Sequence, residues 1–435
     1  MQAKNNLIII SVDALNQLDY HTLLNLPTFA DFIREGAHVK SVTSVYPTVT
    51  YTCHTSLSTG HYPAVHGIYN NELPDPTKAT LQDWHWYERD IKVPTFFDYA
   101  TQAGLKTAAV LWPVMAGANI DYNIPEIWSP DHTISRLKLF WDYGTRNMIW
   151  PVFKYKRLLK GTTQPYLDNF SEAVSHYILK NKKPNLMAIH FTELDTMRHI
   201  HGLKSKESLK ALKRIDQRIE RLMQTLEKSG QLSNTNIVLL GDHGTHDFDT
   251  VIEINSLFKK EGLLTTDADN QIITWQAYGC TCGGSCQIHL HKKATKEIQI
   301  KVKEVLETFS KMPETPIRFM LTHDEAAEKY NLSGDFCYIL EAKDRHVFRN
   351  TTSDKIIYDS KDNPDTYIGD HGFMPEHPDQ KTLLLMKGPS IRKGAVLLHS
   401  HLIDEGPTFA ALLGLKMEKV EGRVLEELIH PDGLK

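Results

Sequence analysis

Short apolar runs that stop at an acidic residue constrain the fold of this chain more than any other feature. Leu7–Val12 consists mostly of β-forming residues and meets Asp13 directly. Asn185–Phe191 and Asn236–Leu240 have the same character. Continuous apolar runs of this length are typical of strands that are buried on both faces of a parallel sheet.

Helical patterns separate the apolar runs along most of the chain. We predict helices at 17–36, Pro94–Gly104, Tyr166–Leu179 and Ser205–Lys228, with further strands at Val39–Tyr46, Lys106–Trp112 and Lys381–Met386. Alternating strands and helices favour an α/β fold, in which a mostly parallel sheet is sandwiched by helices. Residues 131–165 fit no sharp assignment, but Trp141, Trp150 and the basic Lys154–Lys160 stretch indicate an insertion over one face.

Residues 255–365 have a different pattern. A helix at Lys296–Lys311 lies between strand-like Gln271–Tyr278 and Ile317–Leu321. We therefore predict a small inserted α+β subdomain at 255–365 and a catalytic domain formed by 1–254 and 366–435. The insert contains Cys280, Cys282 and Cys286, which raise the alternative of a structural zinc site. Because the spacing lacks the usual CxxC pair, buried or loop thiols are favoured.

Composition limits the partners of the chain. The 435 residues carry a net charge of −4 without a long basic run. We therefore expect no nucleic acid polymer and no anionic membrane as partner. Five cysteines, an odd number, do not form a disulfide framework, and the apolar run near the N-terminus is too short for a secretion signal. A cytoplasmic location is expected, and no pattern indicates the oligomeric state.

Pro47–Asn71 is the stretch with the most reactive side chains. It contains five threonines and three histidines, and it is predicted to leave a strand and enter a helix. A hydroxyl at such a junction lies near free helix N–H groups, which favour an oxyanion. The alternative is a threonine-rich helix cap without chemistry.

Acids and histidines follow the predicted strands repeatedly. They are three carboxylates and three imidazoles: Asp13, Asp195, His199, Asp242, His243 and His371. Because the carboxyl ends of parallel strands form one ligand-binding edge, we expect these side chains to meet there. Six such ligands suit two divalent metal ions, with zinc expected first and manganese or iron as alternatives. A threonine held by one ion would become a nucleophile.

The chain resembles the alkaline phosphatase superfamily and, within it, the nucleotide pyrophosphatase/phosphodiesterase family. The matching motifs occur in the family's order: VDA at 12–14, PTxT-aromatic-xxH at 47–54, TGxYPxxHGIxxN at 59–71, DxxxH at 195–199, GDHG at 241–244 and HGx4HPD at 371–379. Each motif alone is weak, whereas six in order are specific. The absence of signals and disulfide-linked modules makes the chain more similar to a bacterial intracellular relative than to the secreted animal members.

The resemblance implies a fold and a role for each matching residue. The fold would be alkaline-phosphatase-like, and Thr50 would be the nucleophile. The implied ligands are Asp13, Thr50, Asp242 and His243 for one metal ion, and Asp195, His199 and His371 for the other. Asn71, together with the Thr50 backbone N–H, would contact a non-bridging phosphoryl oxygen. Tyr51 would stack on the leaving nucleoside or other group.

The position of Thr50 argues against a sulfatase, which is another member of the superfamily with a similar motif. In the superfamily the nucleophile lies about nine residues before the threonine of the Thr-Gly turn, here Thr59, which selects Thr50. Cys53 is too close to Thr59, and Leu57 stands where the sulfatase motif has arginine. Thr52 and Cys53 replace the family's usual proline and asparagine, which affects the shape of the pocket but no metal ligand.

The resemblance implies a two-metal hydrolase of phosphodiester or nucleotide pyrophosphate bonds that forms a phospho-threonine intermediate. The expected partner is a small phosphate ester or nucleotide. One alternative keeps the site but cleaves a C–P bond, as in a phosphonoacetate-type hydrolase, or a phosphomonoester. Another alternative is a metal-binding pseudoenzyme.

Overall fold

The computed structural model describes residues 5–78, 81–363 and 367–433. In these ranges the strands are β1 Asn6–Val12, β2 Ala37–Thr43, β3 Thr107–Val110, β4 Tyr122–Ile124, β5 Leu186–Phe191, β6 Thr235–Leu240, β7 His246–Asp247, β8 Thr250–Ile252, β9 Leu264–Thr266, β10 Ile272–Trp275, β11 Ala277–Thr281, β12 Ser285–Leu290, β13 Ile317–Thr322, β14 Tyr338–Ala342, β15 His346–Phe348, β16 Ile357–Asp359, β17 Gly369–Asp370, β18 Thr382–Lys387 and β19 Val396–His401. The α-helices are α1 Tyr20–Leu23, α2 Pro27–Glu35, α3 Thr50–Thr59, α4 Pro63–His66, α5 Phe96–Gln102, α6 Arg136–Tyr143, α7 Ile149–Tyr155, α8 Tyr166–Asn181, α9 Glu193–His201, α10 Lys206–Lys228, α11 Ile254–Lys260, α12 Lys296–Ser310, α13 His323–Tyr330 and α14 Glu405–Leu412.

An eight-stranded sheet forms the centre of the molecule, with the strand order β19-β2-β18-β6-β1-β5-β3-β4. β1 pairs in parallel with β5 on one side and with β6 on the other. β18 is antiparallel to both of its neighbours, β6 and β2. The predicted α/β fold with a mostly parallel sheet is therefore confirmed.

Helices cover both faces of this sheet, and each face has its own apolar core. Ile8 and Ile10 of β1 point to the core that α2, α8 and α10 complete. Leu7 and Ile9 point to the opposite core, which α5 and α14 complete. Since successive side chains of a strand alternate between faces, burial of both faces explains the continuous apolar run of β1.

The predicted α+β insert contains a smaller, antiparallel sheet with the order β11-β12-β14-β13, and α12 packs against β13. Two further strands of the insert, β15 and β16, pair with β8, which precedes residue 255. The proposed limits of the two domains stay a prediction. Their boundary between residues 365 and 366 lies outside the described residues.

Residues 131–165 form α6 and α7 with short 3-10 turns, beside the amino end of α8. Both helices leave large apolar side chains in solvent, among them Trp141 and Trp150. None of the helices in the described ranges combines the length and the apolar character that a bilayer span requires.

Candidate active site

Thr50 begins α3 at a helix end that the preceding residue does not cap. Val49 occupies the cap position, and its side chain accepts no hydrogen bond. Asn71 takes over this role, since its Oδ1 accepts from the Tyr51 N–H at 2.8 Å. The remaining N–H groups of the first turn have no acceptor within the helix, so they favour negative charge beside the Thr50 hydroxyl.

The carboxyl ends of β1 and β6 bring the first predicted metal group next to Thr50. Because these strands are neighbours, Asp13 and Asp242 lie side by side. His243 Nε2 lies 3.4 Å from Asp13 Oδ1 and 3.3 Å from Asp242 Oδ2. The same nitrogen is 3.0 Å from the Thr50 hydroxyl oxygen. The structure thus brings all four predicted residues together.

The second predicted group comes from the carboxyl end of β5 and from the turn after β17. Asp195 and His199 are one turn apart on α9, with 3.2 Å between Oδ2 and Nε2. The ligand atoms of Asp195, His199 and His371 lie within 4.8 Å of one another. The His371 ring stacks on His243, with ring centres 4.0 Å apart, so the two groups are adjacent.

Several ligand atoms in both groups are buried and have no hydrogen-bond partner. They are Asp13 Oδ1, Asp195 Oδ1, Asp242 Oδ2 and His371 Nδ1. Burial, with the neighbouring charges of Asp242 and Asp195, raises the pKa of Asp13 well above its usual range. Burial also lowers the pKa of His243 to about 4 and that of His371 to about 3. Crowded carboxylates beside neutral imidazoles are donors for cations, so these residues fit two divalent ions.

Backbone contacts orient two of the imidazoles. His199 Nδ1 lies 2.8 Å from the carbonyl oxygen of Gly369, and His243 Nδ1 lies 3.0 Å from that of Gly244. A proton on each Nδ1 would donate to the carbonyl and leave Nε2 as the free ligand atom.

Close backbone approach explains the glycines beside His243 and His371. A Cβ at Gly244 would lie 1.7 Å from the Asp379 carbonyl oxygen. Gly372 has a φ of +81°, and a Cβ there would lie 1.5 Å from the Cys282 carbonyl oxygen. The GDHG and HG motifs therefore hold their histidines in turns that only glycine permits.

Asn71 lines the cavity described below, whereas Tyr51 does not. Because Asn71 Oδ1 is used by the Tyr51 N–H, the amide N–H₂ is the free end of a side chain that lines the cavity described below. Tyr51 is fully buried, and its hydroxyl donates to Glu126 at 3.2 Å. Its ring packs edge-on against Trp84, which lines the cavity in its place. The structure thus corrects the predicted stacking role of Tyr51.

The sequence analysis did not identify a chain of polar groups that contacts Asp13 and Asp242. His190 of β5 has its Nε2 3.2 Å from Asp13 Oδ2 and its Nδ1 2.9 Å from Glu126 Oε2. His54 lies on the other side of the same region, with its Nδ1 3.4 Å from Asp242 Oδ2. A histidine inside the apolar run of β5 is the signal that could have identified His190.

A cavity of about 620 Å³ connects these features. Six predicted site residues line it: Asp13, Thr50, Asn71, Asp195, His199 and His371. Its other walls are aromatic and apolar, with Trp84, Trp128, Ile124, Phe140 and Phe170 among them. The cavity can therefore hold a charged group at the acids and histidines together with a flat or apolar group beside them.

Among the described residues, the cysteines of the insert supply no side chain to these groups. Cys280, Cys282 and Cys286 are buried free thiols in or beside β11 and β12. Burial raises the pKa of each thiol, which keeps it protonated. Throughout the described ranges, no cysteine belongs to a cluster with metal-binding spacing. The structure favours buried thiols over a zinc site.

A hydroxyl that shares one cavity with two groups of candidate metal ligands is typical of one class of protein, the phosphoric ester hydrolases. Within this class, residues 7–374 match the model of one family, described as type I phosphodiesterase/nucleotide pyrophosphatase. The chain belongs to this family, which confirms the resemblance found in the sequence motifs.

Two relatives are similar to the chain over most of its length, and a third over about half of it. The human bis(5'-adenosyl)-triphosphatase ENPP4 is 24% identical over 422 residues, which cover 94% of this chain and 78% of the human protein. Mouse ectonucleotide pyrophosphatase/phosphodiesterase family member 7 is 20% identical over 97% of this chain and 86% of its own. Venom phosphodiesterase 2 of Crotalus adamanteus is 28% identical over 49% of this chain and 23% of its own.

Solved structures share the fold. Human ectonucleotide pyrophosphatase/phosphodiesterase 5 superposes with a TM-score of 0.68 at 19% identity, covering 98% of this chain and 100% of the human chain. An inactive variant of the murine protein in complex with AMP gives a TM-score of 0.67 at 17% identity, with the same coverage.

Proposed function

We propose that the protein hydrolyses phosphodiester or nucleotide pyrophosphate bonds with Thr50 as nucleophile and two divalent ions, zinc first, as cofactors. One observation carries the proposal: the Thr50 hydroxyl lies 3.0 Å from His243 Nε2, in a cavity that both ligand groups border. Asp13, Asp242 and His243 would hold one ion together with Thr50. Asp195, His199 and His371 would hold the other. Bound there, the ions would stabilise charge on the attacking and leaving oxygens.

Thr50 and Asn71 supply the remaining chemistry. The Thr50 hydroxyl gives up its proton to solvent and its oxygen attacks phosphorus in line. The new O–P bond forms as the bond to the leaving oxygen breaks, and the leaving oxygen takes up a proton. Water then attacks phosphorus in the phospho-threonine, releases the phosphate product and restores the hydroxyl. The free N–H₂ of Asn71 and the Thr50 backbone N–H donate to a non-bridging oxygen, whose charge grows in the transition state.

The aromatic walls of the cavity are evidence for a substrate with a flat leaving group. Trp84 and Trp128 line it, with their ring centres 4.8 Å apart. A nucleoside offers such a flat surface, and several relatives are named for nucleotide substrates. The five free thiols support the cytoplasmic location that we also propose, since thiols persist in a reducing compartment.

The first experiment compares bis-p-nitrophenyl phosphate, thymidine p-nitrophenyl phosphate, p-nitrophenyl phosphate and phosphonoacetate as substrates of the zinc-loaded protein. We expect hydrolysis of the two diesters, lost with EDTA. Thr50→Ala should abolish turnover and leave the metal content largely intact, whereas Thr50→Ser should keep part of the turnover. Preference for the monoester or phosphonoacetate would select the alternative hydrolases, and bound metal with no hydrolysis would select the pseudoenzyme.

A further inference from the structure

Residues 134–160, here called the basic aromatic segment, expose large apolar side chains on their outer side. In α6, Leu137 and Trp141 are 57% and 53% exposed, one helical turn apart. In α7, Trp150 and Phe153 are 57% and 60% exposed. Side chains of this size usually lie in a core or an interface, so their exposure within one short segment marks an interaction surface.

The same segment is strongly basic. It contains seven lysines or arginines and a single acid, in a chain whose net charge is −4. Arg146 lies 5.3 Å over the ring of Trp141, and Lys154 lies 4.9 Å over that of Trp150. Lys156 lies 3.8 Å over the ring of Phe153. A cation therefore accompanies each exposed ring, and the combination fits an anionic surface with an apolar interior.

The inner side of the segment borders the candidate active site. Phe140 of α6 and Val152 of α7 line the same cavity as Thr50. Each of the two helices therefore has one side on the cavity and large apolar side chains in solvent.

We propose that the basic aromatic segment docks the protein on an anionic phospholipid bilayer. Trp141, Trp150 and Phe153 enter the headgroup layer, where aromatic side chains are favoured, and the lysines and arginines contact lipid phosphates. A second copy of the chain would instead bring like charges together. A single-stranded nucleic acid could stack its bases on the rings, but it would leave the exposed Leu137 without an apolar partner. The docking does not depend on the proposed reaction.

This proposal replaces the expectation, drawn from net charge, that the protein does not bind anionic membranes. A net charge of −4 averages over the whole chain and conceals a basic cluster within one segment. Since screening confines the attraction to about 10 Å at 0.1 M salt, the local cluster decides binding at a surface.

The full-length chain is tested by co-sedimentation with vesicles of phosphatidylcholine, with and without phosphatidylglycerol. We expect the phosphatidylglycerol vesicles to bind at least about tenfold more tightly, and about 0.5 M salt to weaken this binding. Trp150→Ala/Phe153→Ala and, separately, Lys154→Gln/Lys156→Gln should each weaken it by about tenfold or more. Brominated lipids should quench tryptophan fluorescence in the wild type and less in Trp141→Phe/Trp150→Phe.

Ile273→Ala/Leu398→Ala is the matched control, because it removes two side chains of similar exposure outside the segment, 60% and 65%. It should bind vesicles like the wild type, and thermal unfolding should show that every variant is folded. The proposal is overturned if phosphatidylglycerol has no effect on binding or if the control variant loses as much as the aromatic variant. A wild-type dimer that Trp150→Ala/Phe153→Ala dissolves in gel filtration would overturn it in favour of self-association.

Discussion

We propose two functions for Asn71, one for each end of its amide. Its Oδ1 caps α3 through the Tyr51 N–H, and its N–H₂ is free to donate to a phosphoryl oxygen. We expect Asn71→Ala to reduce kcat for a diester by about 10²-fold, the usual effect of losing one donor to a developing oxyanion. Asn71→Asp keeps the acceptor for Tyr51 but places a negative charge at the oxyanion, so its kcat should fall at least as far. Steady-state kinetics on bis-p-nitrophenyl phosphate, with circular dichroism as a fold control, measure both. An Asn71→Asp variant with wild-type kcat would contradict the assignment.

The titration of Glu341 should make the stability of the fold depend on pH, independently of the predicted metal ligands. It is buried between the insert and the main body, where it accepts from the Tyr46 hydroxyl at 2.9 Å and from the Met374 N–H at 2.8 Å. Burial raises the pKa of this carboxyl to about 8, from 4.5. The folded state thus holds the proton more tightly than the unfolded chain does. This contribution to stability is complete below pH 4.5 and is lost as the pH rises through about 8.

Glu341→Gln should remove this dependence, because the amide mimics the protonated carboxyl without titrating. We expect the wild type to lose stability relative to the variant at about 1.4 kcal/mol per pH unit between those two pKa values. Urea unfolding of both proteins at several pH values measures the difference and cancels contributions from other groups. Parallel pH profiles for the two proteins would show that Glu341 stays ionised.

At the level of elements, the turn that carries His371 depends on Gly372. Gly372→Ala would add a Cβ that overlaps the Cys282 backbone, on top of the cost of a positive φ. Gly394→Ala is the matched control, since Gly394 has a φ of +76° but no atom within 4 Å of the added Cβ. We expect the control to lose about 1 kcal/mol and Gly372→Ala distinctly more, together with most of its diesterase activity. Urea unfolding and kinetics compare the two, and equal losses would contradict the packing argument.

How far the sequence predicts these elements depends on whether the signal is local. The end of β1 at Asp13 and the GDHG turn could be predicted, because a buried parallel strand has a continuous apolar run that stops at its carboxyl end. The orientation of Tyr51 could not, since it is set by Glu126 and Trp84, far along the chain. The exposed sides of α6 and α7 could not be predicted either, because the burial of a tryptophan depends on its neighbours in space. The roles of the metal ligands and the cytoplasmic location stay predictions.

For the molecule as a whole, bound metal should act as a structural component. Three carboxylates meet at one edge of the sheet, and a cation between them relieves their repulsion. A ligand present at about 100 times its Kd stabilises the folded state by about 2.7 kcal/mol. EDTA should therefore lower Tm by several degrees and abolish activity, and added zinc should restore both. In the Asp195→Asn/His199→Ala variant, the decrease in Tm caused by EDTA should be smaller. If EDTA leaves the Tm of the wild type unchanged, metal binding is contradicted.

The order of the strands along the chain also determines when the site can be completed during synthesis. Asp13 follows the first strand and His243 follows the sixth, whereas His371 and β18 come after the whole insert. On the ribosome, a chain that has reached residue 300 already carries Thr50 and the ligands of the first group but has no His371. We therefore expect the growing polypeptide to have no catalytic activity until the insert has been synthesised and the antiparallel strand β18 has paired with β6 and β2.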